Sequence, residues 1–310
     1  MILVTGGAGV MGRKLVEGLI KKGLRVRVLA LPNDPQAERM QKSGIDVFYG
    51  NIADSHSLDS LMTDVDTVYH LAAIILSPLY PHLFWEINYQ GTRNLLQLGE
   101  KAHVKHFIYV SSASVVYPES NEYARSKAAA EELVRNGIIP HTIVRPTLAY
   151  EEGGAAEFMH FVSYLRKYPV VPFIGAGRAL KSPVHVDDII DGLIKIHGNP
   201  CSYGKAYNFS GGESLSMREL AYRLLTHMGL KKRILPIPVP FCRLMALFTT
   251  AFAHLTHRPP LLTWQTISGI IQDASLDHGS ASRDLGYSPR TFREGIGTLV
   301  SLKQRGIIKG

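Results

Sequence analysis

Tyr123 and Lys127 are the two side chains of this 310-residue chain whose types and spacing are best suited to moving a proton. Residues four apart share one face of a helix, so the ammonium of Lys127 can lie near the phenol of Tyr123. A nearby cation favours the phenolate and lowers a tyrosine pKa that is normally about 10, towards the range useful for proton transfer. Because this spacing also arises by chance, its weight depends on the elements around it.

The opening of the chain supplies a second chemical signal. Residues 2–12 read Ile-Leu-Val-Thr-Gly-Gly-Ala-Gly-Val-Met-Gly, which predicts a buried strand, a tight turn and a helix that begins near Gly9. The unpaired N–H groups and the dipole of such a helix N-terminus favour a pyrophosphate. Gly9 and Gly12 let phosphates and the neighbouring strand approach closely. A strand at residues 25–31 follows, so we favour a dinucleotide site over a glycine-rich turn without a ligand.

The elements that must position these groups alternate between strands and amphipathic helices from residue 1 to about residue 145. This pattern predicts an α/β fold with right-handed crossovers, a Rossmann-type doubly wound parallel sheet covered on both faces, and a ligand over the carboxyl ends of the strands. We place a dinucleotide-binding domain at residues 1–146 and expect the strand 206–210 and the helix 187–197 to return to it. Residues 147–183 and 211–310 then form a smaller mixed substrate-binding lobe.

The glycine spacing at residues 6–12 and the Tyr-x-x-x-Lys pair at 123–127 together resemble the extended short-chain dehydrogenase/reductase family, the NAD-dependent epimerase/dehydratase superfamily. In overall pattern the chain is most similar to 3β-hydroxysteroid-dehydrogenase-like and dihydroflavonol-reductase-like members. The resemblance implies an enzyme that passes hydride to or from a nicotinamide cofactor. Tyr123 would transfer the proton, and Lys127 would hold the cofactor ribose and tune the tyrosine.

The same resemblance implies a catalytic serine after the apolar strand 106–110. Three serines stand there: Ser111, Ser112 and Ser114. Counting forward from the strand selects Ser112, whereas counting back from Tyr117 selects Ala113, so the chain carries one extra residue. We favour Ser112 because strand register fixes a position better than a loop does. The competing interpretation is that these serines only cap the strand end.

Further site residues are assigned by resemblance. Asn88, in the segment Asn88-Tyr-Gln-Gly-Thr-Arg-Asn94, is expected to hold a structural or proton-relay water near the tyrosine and lysine. The residues expected to contact the cofactor are Gly6, Gly9, Val10, Met11, Gly12, Asn51, Ile52, Leu71, Ala72, Ala73, Tyr123, Lys127 and Pro146. His70 and His185 are expected to be packed or hydrogen-bonded rather than catalytic. Asp188 is expected to cap the helix that follows it.

The end of the second strand does not select between NAD and NADP. Aligned from Gly23, the selecting position is Ala30, which is neither the acidic residue that binds ribose hydroxyls nor the arginine that binds a 2′-phosphate. Asp34 could reach back towards the ribose, and Arg13 or Arg27 could approach a 2′-phosphate. Both cofactors therefore stay open.

Charge and composition set the expected partners. The formal net charge is +8, but the basic residues are dispersed and lack interleaved stacking aromatics, so we expect no nucleic-acid partner. Cys201 and Cys242 have neither metal-ligand spacing nor a disulfide pattern, and we expect no metal. Met1 leads directly into the first strand, which leaves no room for a secretory signal and favours the cytoplasm. A small-molecule substrate is expected, and a homodimer stays open.

Residues 237–255 form the most apolar region. Arg243 and His254 interrupt it, and its uninterrupted apolar core is too short to span a bilayer. We favour a buried helix of the smaller lobe. The alternative is an amphipathic flap near an apolar substrate, in contact with a membrane surface through the basic residues 231–233.

Three functions remain. The preferred one is an NAD(P)-dependent oxidoreductase that interconverts a secondary alcohol and a ketone on a small apolar substrate. The alternative is a nucleotide-sugar epimerase or dehydratase with tightly bound NAD. Sugar-nucleotide members commonly place Asn soon after the arginine at position 145 and Arg-Asp-Phe before the Val-Asp-Asp element, whereas this chain reads Arg-Pro-Thr-Leu-Ala-Tyr150 and Ala-Leu-Lys-Ser-Pro183. A cofactor-sensing scaffold is disfavoured by the intact Ser, Tyr and Lys set.

Overall fold

The computed structural model describes residues 1–77, 79–151, 156–256, 264–299 and 302. The strands are, in chain order, β1 (Ile2–Thr5), β2 (Val26–Ala30), β3 (Asp46–Tyr49), β4 (Thr67–His70), β5 (His106–Val110), β6 (His141–Pro146), β7 (Ala149–Tyr150), β8 (Val170–Ile174), β9 (Leu180–Lys181), β10 (Val184–His185), β11 (Lys205–Phe209), β12 (Leu215–Ser216) and β13 (Arg233–Ile237). The α-helices are α1 (Val10–Lys21), α2 (Pro35–Lys42), α3 (Gly91–Lys101), α4 (Glu122–Asn136), α5 (Ala156–Lys167), α6 (Val186–Ile196), α7 (Met217–His227), α8 (Val239–Thr256), α9 (Trp264–Ile271), α10 (Gly279–Leu285) and α11 (Phe292–Ile296). A π-helical segment, Phe84–Gln90, runs directly into α3.

A seven-stranded parallel sheet organises the chain. Its order is β11-β6-β5-β4-β1-β2-β3, and each neighbouring pair is parallel. This is the doubly wound Rossmann arrangement, in which the strand order reverses beside β1 and ligands bind outside the carboxyl ends of the strands. The predicted fold class is confirmed.

Helices cover both faces of this sheet because the strands are apolar on both sides. The four residues of β1 are buried, as are those of β5. On one face α1 buries Leu15, Val16 and Leu19 at helical spacing, against residues of β1, β2 and α6. On the other face α3 and α4 enclose a second core that includes Leu95, Val134 and strand residues of β5. Both faces thus fix the strand ends that carry the site.

A third core lies in the smaller lobe. It joins α5, α7 and α11 with β8, and it includes Phe158, Phe173, Leu224 and Phe292. Strands β8 and β13 form a parallel two-stranded sheet. Cys242 and Ala246 of α8 and Ile267 of α9 form a further small cluster, against which Ile174 and Ile237 of this sheet pack.

One helix departs from the predicted lobe assignment. Helix α10, which the sequence analysis placed in the smaller lobe, packs on the main core through Ala281, Leu285 and the following Tyr287. The ring of Tyr287 stacks on that of Phe209 in β11 at a centroid distance of 4.5 Å. The main core therefore also includes apolar residues after position 211.

Asp188 does not cap α6, contrary to the prediction. His185 occupies the N-cap position, and its Nδ1 accepts a hydrogen bond from the Asp187 N–H at 3.1 Å. Asp188 lies in the first turn of the helix and binds Arg290, whose N–H and Nε donate to its carboxylate at 3.0 and 2.9 Å. This contact ties the smaller lobe to α6.

Within the described part of the chain, no helix combines the length and the apolar character needed to cross a bilayer.

Candidate active site

The glycine turn after β1 has a backbone that other residues would not tolerate. Gly6 has φ +69°, and a Cβ added there would lie 2.8 Å from the Ala72 nitrogen. A Cβ on Gly12 would collide with the Gly6 carbonyl. Gly9 occupies the N-cap position of α1 without a side-chain cap bond, and the first turn carries no acidic residue. The first N–H groups of α1 therefore face outwards in an environment suited to an anion.

The turn after β4 closes against this glycine turn. Leu71 N–H donates to the Thr5 carbonyl at 3.2 Å, and Ala72 N–H donates to Thr5 Oγ1 at the same distance. The carboxyl ends of β1 and β4 thus present their loops side by side, with Ala73 next in the chain.

The other assigned cofactor residues follow neighbouring strands. Asn51 is exposed just after β3, whereas Ile52 is buried and its carbonyl accepts a hydrogen bond from Asn94 Nδ2 at 2.8 Å. Pro146 ends β6 opposite Phe209. At Gly6 any side chain would clash, so the backbone turn stays open. This turn and the neighbouring strand ends fit a dinucleotide that binds along the carboxyl edge of the sheet.

The groups considered for selecting between NAD and NADP are largely engaged elsewhere. Asp34 caps α2 by accepting from the N–H groups of Gln36 and Ala37 at 2.8 and 3.2 Å. Arg27 donates to the Asp46 carboxylate at 2.9 Å and to two carbonyls of the segment 61–63. Arg13, the third group considered, has a buried Nε without a hydrogen-bond partner among the described residues, so these contacts leave the choice between NAD and NADP open.

Lys127 is held in place by its surroundings. Its Nζ donates to the Val110 carbonyl at 2.8 Å and lies 4.2 Å from the centroid of the Tyr109 ring. The residue is 1% exposed. Burial lowers the pKa of Lys127 to about 7, and the nearby Glu131 carboxylate opposes that shift. A buried lysine with this pKa is charged in only part of the molecules at neutral pH.

Tyr123 lies one turn before Lys127 on α4, whose N-terminus is capped by Asn121. Burial and the negative charge of Glu157 raise the pKa of Tyr123 above its usual value, and the Ser112 hydroxyl counteracts part of that rise. The expectation that Lys127 lowers this pKa is therefore wrong for this conformation. Desolvation of the phenolate, followed by the charge of Glu157, sets the direction of the pKa shift, and the Lys127 ammonium is bonded to the Val110 carbonyl.

The three serines separate by what they contact. The Ser112 hydroxyl interacts with the Tyr123 phenol, and it accepts hydrogen bonds from the N–H and the hydroxyl of Ser114 at 3.2 and 2.9 Å. Ser111 is buried, and its hydroxyl lowers the pKa of Glu131 on the far side of the strand. Ser112 is thus the serine that adjoins the tyrosine, while its catalytic role stays a prediction.

Asn88 lies in the π-helical segment and is 1% exposed. Its Oδ1 accepts from the Ile74 N–H at 2.9 Å, and its Nδ2 donates to the Ile74 carbonyl and to Ser126 Oγ, each at 3.1 Å. The amide therefore fixes the loop after β4 to α4. The expected water at Asn88 stays a prediction and would have to use the second lone pair of Oδ1.

Sequence comparison identifies the family to which the chain belongs. The sequence model described as the NAD dependent epimerase/dehydratase family matches residues 2–209. The chain belongs to this family. Its members include enzymes of the extended short-chain dehydrogenase/reductase type, and this chain is such an enzyme, an oxidoreductase whose cofactor is a nicotinamide dinucleotide.

Several curated relatives cover nearly all of the chain. It is 29% identical to a "3 beta-hydroxysteroid dehydrogenase/Delta 5-->4-isomerase" of Mycobacterium tuberculosis over 93% of this chain and 86% of that protein. It is 25% identical to a "4-hydroxy-2-methyl-3-oxo-4-farnesyl-3,4-dihydroquinoline-1-oxide ketoreductase" of Stigmatella aurantiaca, over 96% and 94% of the two chains.

Among solved structures, the fold superposes on gox2253 with a TM-score of 0.81 at 23% identity, covering 100% of this chain and 99% of that one. It also superposes on DesIV, a dTDP-glucose 4,6-dehydratase from Streptomyces venezuelae with NAD and DAU bound, with a TM-score of 0.78 at 25% identity. That match covers 98% of this chain and 97% of DesIV.

A buried ion pair behind the lysine was not predicted. Glu131 is 4% exposed, lies four residues after Lys127 on α4, and accepts from Arg145 Nε at 2.9 Å and Nη2 at 2.5 Å. The pKa of Glu131 is lowered by these bonds although burial opposes the shift. Helical spacing from Lys127 was the available signal, because a carboxylate at that interval must share the lysine's face.

The two histidines behave as expected. His70 is buried, and its ring nitrogens bond to Thr5 Oγ1 at 2.7 Å and Thr92 Oγ1 at 2.9 Å. Burial, followed by the charge of Lys127, holds the pKa of His70 well below its usual value. His185 contacts Thr298 Oγ1 at 3.0 Å as well as capping α6. The prediction that both are hydrogen-bonded is confirmed.

Apolar side chains surround the approach to the tyrosine. The ring of Phe84 stands edge-on to that of Tyr123 at a centroid distance of 6.1 Å. The loop after β4, which Asn88 anchors at Ile74, exposes four large apolar side chains: Ile75, Leu76, Leu79 and Tyr80. Val116, in the turn that follows Ser112, is exposed as well.

Within the described residues, no cluster of three or more histidine, cysteine or acidic side chains is arranged to hold a metal ion.

Proposed function

We propose that this enzyme interconverts a ketone and a secondary alcohol on a small apolar substrate through Ser112, Tyr123 and Lys127. The observation that carries the proposal is that Lys127 of α4 bonds the Val110 carbonyl at the end of β5, two residues before Ser112, while the loop after β4 exposes four large apolar side chains. The bound nicotinamide supplies or accepts the hydride.

Each protein group has a defined task in the reducing direction. Ser112 donates a hydrogen bond to the substrate oxygen, and Tyr123 gives its proton to that oxygen as negative charge develops there. Because the pKa of Tyr123 is raised, its phenol is protonated at neutral pH, which is the state needed for donation. Lys127, fixed by the Val110 carbonyl, holds the ribose and provides positive charge near the phenol.

An apolar substrate is supported by the site and by the relatives. The exposed loop residues and the Phe84 ring offer hydrophobic contact area. The names of several relatives also point to substrates with large apolar parts: a hydroxysteroid, a farnesylated dihydroquinoline oxide and, at 26% identity, a ceramide for the reductase of Caulobacter vibrioides. The segment 147–183 carries only two arginines, and one of them, Arg166, donates to the Leu302 carbonyl at 2.9 Å.

The test follows the fate of the cofactor. The purified enzyme is expected to be largely free of nicotinamide, and with NADH or NADPH its absorbance should fall in a one-to-one ratio with an added apolar ketone. Running both cofactors decides between NAD and NADP. Tightly retained NAD, no net absorbance change, and thermal stabilisation by a UDP- or GDP-sugar but by no apolar alcohol would instead identify a nucleotide-sugar epimerase or dehydratase.

A further inference from the structure

Helix α8 exposes an unusually apolar outward face. Five large side chains between positions 241 and 248 are 43–68% exposed: Phe241, Leu244, Met245, Leu247 and Phe248. At 3.6 residues per turn they share one broad arc of the helix. The opposite side is buried, with Cys242 and Ala246 each 3% exposed in the small cluster shared with α9. The favoured prediction of a fully buried helix is therefore wrong for this part of α8.

The charge around α8 is one-sided. The chain holds 26 acidic residues in 310, yet residues 220–272 contain no Asp or Glu. The same stretch contains six basic residues: Arg223, Lys231, Lys232, Arg233, Arg243 and Arg258. Arg223, on α7, is paired with Glu213 and Glu219, so the basic charge beside α8 comes from the later members of this set. An apolar arc within an acid-free basic segment is the composition of a helix that lies on an anionic membrane surface.

The basic residues beside β13 have different tasks. Lys232 Nζ donates to the carbonyls of Leu165, Arg166 and Tyr168 at 2.6–2.9 Å, which caps the end of α5. Lys231 and Arg233 are exposed, and within the described residues no carboxylate pairs with them. Leu235, two residues further along the strand, is exposed as well.

We propose that the outward face of α8 docks on the surface of an anionic lipid bilayer. Its apolar side chains enter the boundary between headgroups and acyl chains, and Lys231 and Arg233 contact lipid phosphates. The helix lies in the plane of the surface, since it does not qualify as a spanning helix.

Charge favours lipid over a second copy of the chain. A symmetric dimer through α8 would bring two copies of the same basic segment, with Lys231 and Arg233, towards each other, and like charges repel. An anionic bilayer instead supplies the negative charge that this surface lacks. The docking holds whether or not the substrate is an apolar ketone.

Vesicle flotation tests the proposal with the full-length enzyme. We expect binding to vesicles of phosphatidylcholine with phosphatidylglycerol, much weaker binding to phosphatidylcholine alone, and release by high salt. The double variant Leu247→Glu/Phe248→Glu should bind at least about tenfold more weakly, because it places carboxylates at the acyl boundary. Lys231→Gln and Arg233→Gln should each weaken binding about fivefold.

The matched control is Ile138→Glu, which changes a side chain that is 82% exposed just beyond α4. It should bind vesicles like the wild type, and thermal melting should show that the variants are folded. Failure of the wild type to float with anionic vesicles, or equal binding by the double variant, would overturn the proposal. A concentration-dependent dimer that Leu247→Glu/Phe248→Glu abolishes, without vesicle binding, would assign the face to a second copy instead.

Discussion

The polar groups at the carboxyl edge of the main sheet differ from the large apolar side chains of α8 and of the loop after β4 in how far the protein itself covers them. At the sheet edge, buried polar groups are matched to partners: Lys127 to the Val110 carbonyl, Asn88 to Ile74, and Glu131 to Arg145. On α8 and on the loop after β4, large apolar side chains remain exposed. The first region is organised by the protein itself, whereas the second offers surface that an apolar substrate or a membrane can cover.

We therefore expect the two regions to have different roles, the first in the reaction itself and the second in the choice of what is bound. The matched polar groups hold Lys127 and its helix in place before any substrate binds, and in the proposed mechanism such preorganisation favours the chemical step. The exposed apolar regions contribute little to that geometry. Substitutions at the sheet edge should therefore change the rate, whereas substitutions on the exposed regions should change what is bound.

The largest effect is expected for Tyr123→Phe. The variant keeps the ring that contacts Phe84 but loses the proton donor, so kcat should fall on the order of 10² or more while cofactor affinity, measured by fluorescence titration, stays close to that of the wild type. Tyr117→Phe is the control, because it removes a phenolic hydroxyl to which no proton transfer is assigned, and it should cost less than about tenfold. A Tyr123→Phe enzyme with more than about a tenth of the wild-type rate would remove the tyrosine from its role.

A smaller effect is expected for Ser112→Ala. Loss of one hydrogen bond to the developing charge should lower kcat by roughly tenfold to a hundredfold, whereas Ser111→Ala and Ser114→Ala should change it little. Steady-state kinetics of the three variants with one ketone decides the matter. If Ser114→Ala is the severe variant, the catalytic position lies beyond the extra residue and Ser112 only supports it.

The smallest effect is a pH dependence of stability. Lys127 has a folded-state pKa of about 7, below the usual value of 10.5, so the unfolded chain binds more protons between these pH values. The free energy of unfolding of the cofactor-free protein should therefore rise with pH above about 7, by about 1 to 2 kcal/mol up to pH 9.

Urea unfolding at several pH values measures this slope. In Lys127→Met this rise of the free energy of unfolding with pH should vanish. Lys101→Met, which changes an exposed lysine of α3, should retain the rise. The same slope in both variants would mean that the lysine is not buried with a depressed pKa. A cofactor that contacts the ammonium should flatten the wild-type slope as well.

The sequence predicted what short spacings determine. A strand, three glycines and a helix placed the turn at Gly6, and the interval between Tyr123 and Lys127 placed both on α4. Contacts between distant segments were harder. Asp188 has its partner 102 residues away in Arg290, so its local resemblance to a helix cap was misleading. The direction of the Tyr123 pKa was missed because it depends on burial and on Glu157 from another helix.

The measurement that tests the central claim most directly is kcat/KM for a series of ketones that differ by single methylene groups. If apolar contacts at the loop after β4 select the substrate, kcat/KM should rise up to about fourfold per added methylene, the equivalent of ~0.8 kcal/mol. Tyr123→Phe should lower kcat/KM by the same factor for every ketone of the series. Leu76→Ser/Leu79→Ser should flatten the rise of kcat/KM with chain length and leave kcat/KM for the shortest ketone unchanged. A rate independent of chain length, or turnover confined to nucleotide sugars, would contradict the account.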